Sequence, residues 1–288
     1  MADISIEVNG IKFQNPFVIG SGPPSTNFRT IDKAFATGWG GAVAKTISLD
    51  STPVINVTPR YGKLRAQNGD VIGFENIELI SDRTLEVWLD VFKRVKDKYP
   101  DKVLIASLME SYEKSRWQEL TGIVTETGVD MFELNFSCPH GHPETGMGAF
   151  MGQNPHMVEE VTRWVRETTD LPIWAKMTPD CTDIVAPSKA AFDGGADGIA
   201  AINTLPSIVG VDLENLRPLP TVEGHSTPGG FSYYAVKPLA LRKISEIARE
   251  LVGKDISGMG GVISSQEAIE FILMGSSTVQ VCTGVMLQ

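Results

Sequence analysis

The chain has 288 residues, 42% of them hydrophobic and 21% charged, with a formal net charge of −10. That length suits one large globular domain, and the acidic balance argues against nucleic acid, whose phosphates call for a basic face. No run approaches the roughly 18 apolar residues of a membrane span, MADISIEVNG lacks a secretory signal's apolar core, and three widely spaced cysteines make neither a disulfide framework nor a CxxC site. The cytoplasm is therefore the expected compartment.

In chain order, the first signal is Asn9-Gly10 between Ile4–Val8 and Ile11–Phe13, which predicts a type I′ hairpin. Eight short apolar runs follow, at Pro16–Gly20, Gly41–Thr46, Val103–Met109, Met131–Ser137, Ile173–Thr178, Gly198–Thr204, Ile256–Gly260 and Thr278–Thr283. Segments with apolar residues three and four apart lie between them, among them Asp82–Lys98, Glu113–Thr127, Pro155–Thr169 and Val236–Leu251, and read as helices. Strands alternating with helices pair in parallel, and eight of them predict a closed (β/α)8 TIM barrel with an N-terminal β-hairpin. The whole chain, 1–288, reads as that one domain. It stops just after the eighth run, so the last helix of the barrel and any further module are expected in a continuation.

Three connections are long, Ile47–Ile77, Pro139–Asn154 and Leu205–Tyr234, and all fall on the face where the strands end. Loops of that length without structure of their own are commonly functional. Several runs end in polar or reactive residues: Lys45-Thr46, Asn135-Phe136-Ser137-Cys138, Lys176 and Asn203-Thr204. A parallel barrel brings these ends to one mouth.

Cys138 in NFSCPH is a candidate for proton exchange, because a partly exposed thiol among polar neighbours titrates near 8.5; the plainer reading is an inert buried cysteine. His140 and His142 lack a third ligand at suitable spacing, so no metal is expected. Lys45 and Lys176 are expected to face an anionic or electron-rich group; alone, each would be read as reaching out to the rim. Gly258-Met259-Gly260-Gly261 and Cys282-Thr283-Gly284 follow the seventh and eighth strands, where barrels of this kind cradle a phosphate, and Gly229-Gly230 offers another close approach. Asn76, Asn135, Asn203 and Thr204 together suit a planar heterocycle with alternating donors and acceptors; singly, each is an ordinary turn residue.

At NFSCPH the chain resembles a known family. GSGPPSTN, AKTISLD, GFENIELI, ELNFSCPHG, GMGAFMGQNP, WAKMTPDCTDI, AINTLPS, TPGGFS, ISGMGGV and VQVCTG match, in order, the FMN-binding, pyrimidine-reducing domain of dihydropyrimidine dehydrogenases of the bacterial catalytic-subunit type. The class 1 dihydroorotate dehydrogenases are more distant. The resemblance implies reduction of the C5=C6 bond of uracil or thymine, with hydride from FMN N5 and a proton from Cys138. It implies that Asn76, Asn135, Ser137, His140, Asn203 and Thr204 contact the pyrimidine. It assigns Ser21, Gly22, Lys45, Thr46, Lys176, Gly230, Ser232, Gly260, Gly261, Cys282 and Thr283 to FMN. Iron–sulfur clusters and NAD(P)H would enter through a segment beyond this sequence or through an NADH-oxidising flavoprotein partner, and a homo-oligomer is expected. SCPH at His140, where the dihydroorotate branch has SCPN, favours the pyrimidine reductase; the departures from the family pattern are Tyr233, where a small residue often follows the serine, and the absence from this sequence of the two CxxCxxC-type cluster motifs. Dihydroorotate oxidation and a catalytically silent FMN-binding subunit are the competing readings.

Overall fold

A computed structural model describes residues 3–49, 58–137, 148–222, 225–226 and 228–287. Among them, Ile6–Val8 pairs antiparallel with Ile11–Phe13 through Asn9 and Gly10, whose φ angles of 51° and 77° are the left-handed pair a type I′ turn needs. This hairpin plugs the floor of the barrel. Val8 and Phe13 pack among Val18, Val43, Val103, Ile105, Met131 and Trp174, and Asn9 Oδ1 accepts from Trp174 Nε1 at 2.7 Å.

The barrel strands are β1 (Phe17–Ile19), β2 (Gly41–Val43), β3 (Val103–Leu108), β4 (Met131–Asn135), β5 (Ile173–Lys176), β6 (Gly198–Ala201), β7 (Asp255–Met259) and β8 (Thr278–Val281). They pair in sequence order and close through parallel pairing of β8 with β1. Most strand residues are buried on both faces, as a parallel sheet covered by helices requires.

The helices form where the three-and-four spacing predicts them, trimmed by their caps. Leu85–Lys98 begins three residues later than the apolar pattern, because the Thr84 side chain accepts from Val87 N. Its buried stripe is Trp88, Val91, Phe92 and Val95. Pro155–Arg166 starts behind Asn154, whose side chain accepts from His156 N and Met157 N, with Pro155 in the first turn where its missing N–H costs nothing. No helix among the described residues is long and apolar enough to cross a membrane.

Two of the long connections are not structureless. Tyr61–Arg65, Val71–Asn76, Gly229–Ser232 and Leu205–Ser207 form a four-stranded antiparallel sheet across the mouth of the barrel. Gly73 makes its packing feasible, since a Cβ there would lie 2.2 Å from Phe231 Cζ. The third connection lies outside the described residues through position 147.

Within this lid Glu75 is fully buried. Its Oε2 accepts from Ser207 Oγ at 2.8 Å, while Oε1 has no partner. Burial raises its carboxyl above the ordinary 4.5. A carboxyl whose folded value is raised holds its proton better folded than unfolded, so the stability it contributes is lost as pH climbs past 4.5. The melting temperature of the wild type is expected to decline over that rise more steeply than that of Glu75→Gln, which keeps the shape and cannot ionise. Parallel thermal melts from acidic to neutral pH check this; superimposable profiles would remove Glu75 as the titrating group.

Candidate active site

At the carboxyl ends of the strands, beneath the lid, lies a cavity of about 1100 Å³ including its open mouth. Its wall contains Ser21 and Gly22 after β1, Lys45 and Thr46 after β2, Asn135 at the end of β4, and Lys176 at the end of β5. Asn203 and Thr204 follow β6, Gly260 and Gly261 follow β7, and Cys282 and Thr283 follow β8; the lid adds Asn76 and Ser232. Residues up to 262 positions apart thus share one enclosure because the strands are parallel.

Two expected site residues stand behind the wall. Ser137 is buried, donating through Oγ to Asn135 Oδ1 at 2.9 Å and accepting from Asn203 Nδ2 at 2.7 Å. Gly230 does not line the cavity. Its missing side chain makes room for Thr204, whose Oγ1 would lie 2.2 Å from a Cβ there. Cys138, His140 and His142 lie outside the described residues.

The asparagines are held by their own neighbours. Asn135 Nδ2 donates to Thr46 Oγ1 at 3.0 Å, and its Oδ1 accepts from both the N–H and the hydroxyl of Ser137. Asn203 Nδ2 is tied to Ser137, and its Oδ1 accepts from Thr204 N at 2.8 Å. Asn76 donates to Gly230 O at 3.3 Å and accepts from Glu78 N at 3.3 Å. Each amide therefore has a defined orientation. Each also keeps a spare N–H, and Asn76 and Asn203 keep a spare carbonyl lone pair. That is a mixed donor and acceptor set aimed from three elements, suited to a flat ring carrying both.

The two lysines, expected to face an anionic or electron-rich group, each have a carboxylate beside them. Lys45 Nζ lies 3.0 Å from Glu78 Oε2, and Lys176 Nζ lies 3.2 Å from Glu133 Oε1. The reason is energetic: an ammonium taken out of water without a counter-charge is far too costly, so each is buried as a pair. Glu78 also accepts from the Tyr61 hydroxyl and lies 3.7 Å from Arg60 Nε. Burial and the Glu78 carboxylate together drive the Tyr61 phenol well above its usual value. The cavity floor is thus close to neutral yet strongly dipolar.

Glycines shape the far end. Gly260 and Gly261 have φ of 127° and 82°, and a Cβ on Gly261 would lie 2.9 Å from both Tyr233 O and Lys237 N. A bare backbone is required at that turn. The short helix Thr283–Leu287 starts at the end of β8, and the first turn of a helix offers N–H groups without intrahelical acceptors. Ser232 Oγ and Thr283 Oγ1 meet at 2.8 Å beside it. Burial pushes the Cys282 thiol up to about 11, so it is neutral at pH 7 and acts as wall rather than nucleophile. Tyr233, with φ of 76°, also lines the cavity.

Glu78, Glu133, Gln280, Phe74 and Phe231 were not legible as site residues. For Glu133 and Gln280 a signal existed: each interrupts an otherwise apolar strand run, MFELN and TVQVC. Glu78 and the two lid phenylalanines carried none, because the lid's strands were read as loops.

A closed parallel barrel with one deep polar cavity at the carboxyl ends of its strands defines an α/β-barrel enzyme. Comparison with known proteins makes this specific. The dihydroorotate dehydrogenase family model matches residues 3–288, and the chain belongs to that family. It is 55% identical over 295 residues to the chloroplastic dihydropyrimidine dehydrogenase (NADP(+)) of Arabidopsis thaliana, covering 99% of this chain and 69% of the relative. It is 45% identical over 286 residues to the NAD-dependent dihydropyrimidine dehydrogenase subunit PreA of Escherichia coli K12, with the same coverage of both. A crystal structure of the Eimeria tenella DHODH in complex with ferulenol superposes with a TM-score of 0.79 at 20% identity, over 99% of this chain and 80% of the other, which speaks for the fold alone.

Proposed function

We propose that this chain is an FMN-dependent reductase of the C5=C6 bond of uracil or thymine, working in the cytoplasm. The observation that carries it is the convergence of Asn76, Asn135 and Asn203, with fixed amides and spare hydrogen-bonding capacity, on a cavity that also holds a glycine-built cradle. Further support comes from the names of the relatives, both dihydropyrimidine dehydrogenases.

FMN, when bound, supplies the hydride for C6. Support for such a group comes from Gly22, Gly260 and Gly261 in the cavity wall, whose missing side chains let Cys282, Ala240 and Lys237 pack behind the backbone, with Thr283 beside them, and from the buried, unpartnered Oε1 of Gln280. Ser21, Lys45, Thr46, Lys176, Ser232 and Cys282 complete the cofactor's surroundings. The asparagines and Thr204 hold the pyrimidine flat against it, with Ser137 bracing Asn135 and Asn203 from behind. His140 is assigned to the substrate side and Cys138 to proton delivery at C5, both on the family motif NFSCPH. One hydride and one proton balance the dihydropyrimidine product. Electrons reach the cofactor from a nicotinamide nucleotide through an iron–sulfur segment or a partner flavoprotein, consistent with the relative from E. coli being named a subunit.

The experiment is anaerobic. Protein-bound FMN is reduced chemically, then uracil, thymine, dihydroorotate and orotate are added separately while flavin absorbance is followed. Reoxidation by uracil or thymine, and not by orotate, is expected. Reoxidation by orotate alone would assign the chain to the dihydroorotate reaction, and silence toward every pyrimidine would make it a binding subunit without turnover.

A further inference from the structure

Below the cavity, the barrel interior holds a polar cluster to which the proposed reaction assigns no task. Glu133 points inward from β4, fully buried, and lines neither the cavity nor the surface. Its Oε1 is paired with Lys176, and its Oε2 accepts from Gln280 Nε2 at 2.8 Å. Gln280 Nε2 donates its second hydrogen to Ser257 Oγ at 3.2 Å. Both amide hydrogens are thus committed, and the orientation of the Gln280 side chain is set by its partners.

The consequence falls on the other end of the amide. Gln280 Oε1 is buried and accepts from no protein group. It lies 3.4 Å from where a Cβ on Gly20 would sit, and both residues line the cavity. A buried carbonyl left without a donor is costly, and native proteins supply one. Lys176, the other partner of Glu133, lines the same floor. One carboxylate therefore holds both a cation and an amide side chain that line the cavity.

We propose that Gln280 Oε1 accepts a hydrogen bond from the imide N–H of a ring bound in the cavity, and that Glu133 is the positioning residue that aims it. This rests on the function proposed above, and two rings qualify, because the flavin and the pyrimidine substrate each carry an imide N–H between carbonyls. Glu133 contributes in a second way: its charge offsets that of Lys176 under the redox-active ring.

Substitution logic follows from donor counting. In Glu133→Gln, the new amide nitrogen meets the Gln280 amide nitrogen, donor against donor. Gln280 must turn over and present its NH₂ group where the acceptor was, and Lys176 is left without a counter-charge. Gln280→Met removes the acceptor at nearly constant volume, and with it the two N–H donors to Glu133 Oε2 and Ser257 Oγ, so the swap below is the control that separates the two losses. The swap Glu133→Gln/Gln280→Glu returns both an acceptor and a negative charge to the cluster.

The measurements are FMN affinity of the apoprotein by fluorescence titration, uracil binding to the oxidised loaded protein by spectral perturbation, and the flavin midpoint potential. Apoprotein melting temperature is recorded alongside. Gln280→Met is expected to weaken one of the two ligands about tenfold, the size of one lost hydrogen bond. Weakened FMN identifies the flavin imide as the donor; weakened uracil with normal FMN identifies the substrate. Glu133→Gln is expected to weaken the same ligand further and to shift the potential positive, since an uncompensated ammonium favours the electron-richer state. The swap is expected to recover both.

If Gln280→Met binds FMN and uracil as the wild type does, the assignment is wrong, whether or not Glu133→Gln folds. Failure of the swap to recover potential and affinity in a normally melting protein would reduce Glu133 to a structural role. A wild-type protein that binds no FMN would instead sink the proposed function, a result recognisable before any variant is made.

Discussion

Cys138→Ala is expected to bind FMN as tightly as the wild type while reducing uracil about 10²–10⁴ times more slowly, the usual cost of removing a positioned proton donor. The loss is confined to the chemical step because the proposed function gives Cys138 no contact with the cofactor. The chain runs into position 138 directly from Ser137, whose hydroxyl donates to Asn135 Oδ1 and accepts from Asn203 Nδ2. The decisive comparison is single-turnover reoxidation of chemically reduced flavin by uracil, beside FMN affinity, in both proteins. Equal single-turnover rates would remove Cys138 from the mechanism and leave proton delivery to another group.

Lys176→Met is expected to have the largest effect on stability, about 3–5 kcal/mol, because it strands the Glu133 carboxylate in the barrel interior. Both partners of the pair are buried, with side-chain exposures of 5% and 0%, so water cannot take over the role of the lysine. For a domain of this size that loss corresponds to a fall in melting temperature on the order of 10 °C. Combining Lys176→Met with Glu133→Leu should recover much of the loss, since an apolar pair of similar volume commonly replaces a buried ion pair at little cost. Thermal melts of the single and double variants test both statements. A double variant no more stable than the single would mean that the deficit comes from lost packing and not from an unpaired charge.

The Lys45–Glu78 pair makes an instructive contrast. Glu78 is shared among Lys45, Arg60 and Tyr61, so removal of Lys45 leaves the carboxylate with two remaining partners. One ion pair is a closed unit inside the barrel; the other belongs to a network that ties the lid to the strand ends.

Much of this was legible in the order of residues. Short continuous apolar runs located the eight barrel strands and three-and-four spacing the main helices, because a strand buried on both faces and a helix buried on one leave different apolar spacings. Asn9-Gly10 announced its hairpin, since few other dipeptides accept two positive φ angles. The polar strand ends announced the mouth: side chains such as Lys176 and Asn135 have little reason to end an apolar run unless several ends converge. Family motifs added what patterning cannot, namely which ring the cavity takes.

What remained hidden was partnership. The partners of Lys45 and Lys176 could not be named because their carboxylates are 33 and 43 residues away, and no local pattern records a contact across a barrel. The lid went unread for a related reason. Its strands are three to six residues long, pair with segments as far as 158 residues distant, and are rich in glycine and polar residues that resemble loop. Nor could the sequence show that a side chain at Gly230 would collide with Thr204. Local spacing encodes which face of an element is buried; which buried groups meet, and therefore whether a charge is available or already neutralised, depends on closure of the barrel and exists only once the chain is folded.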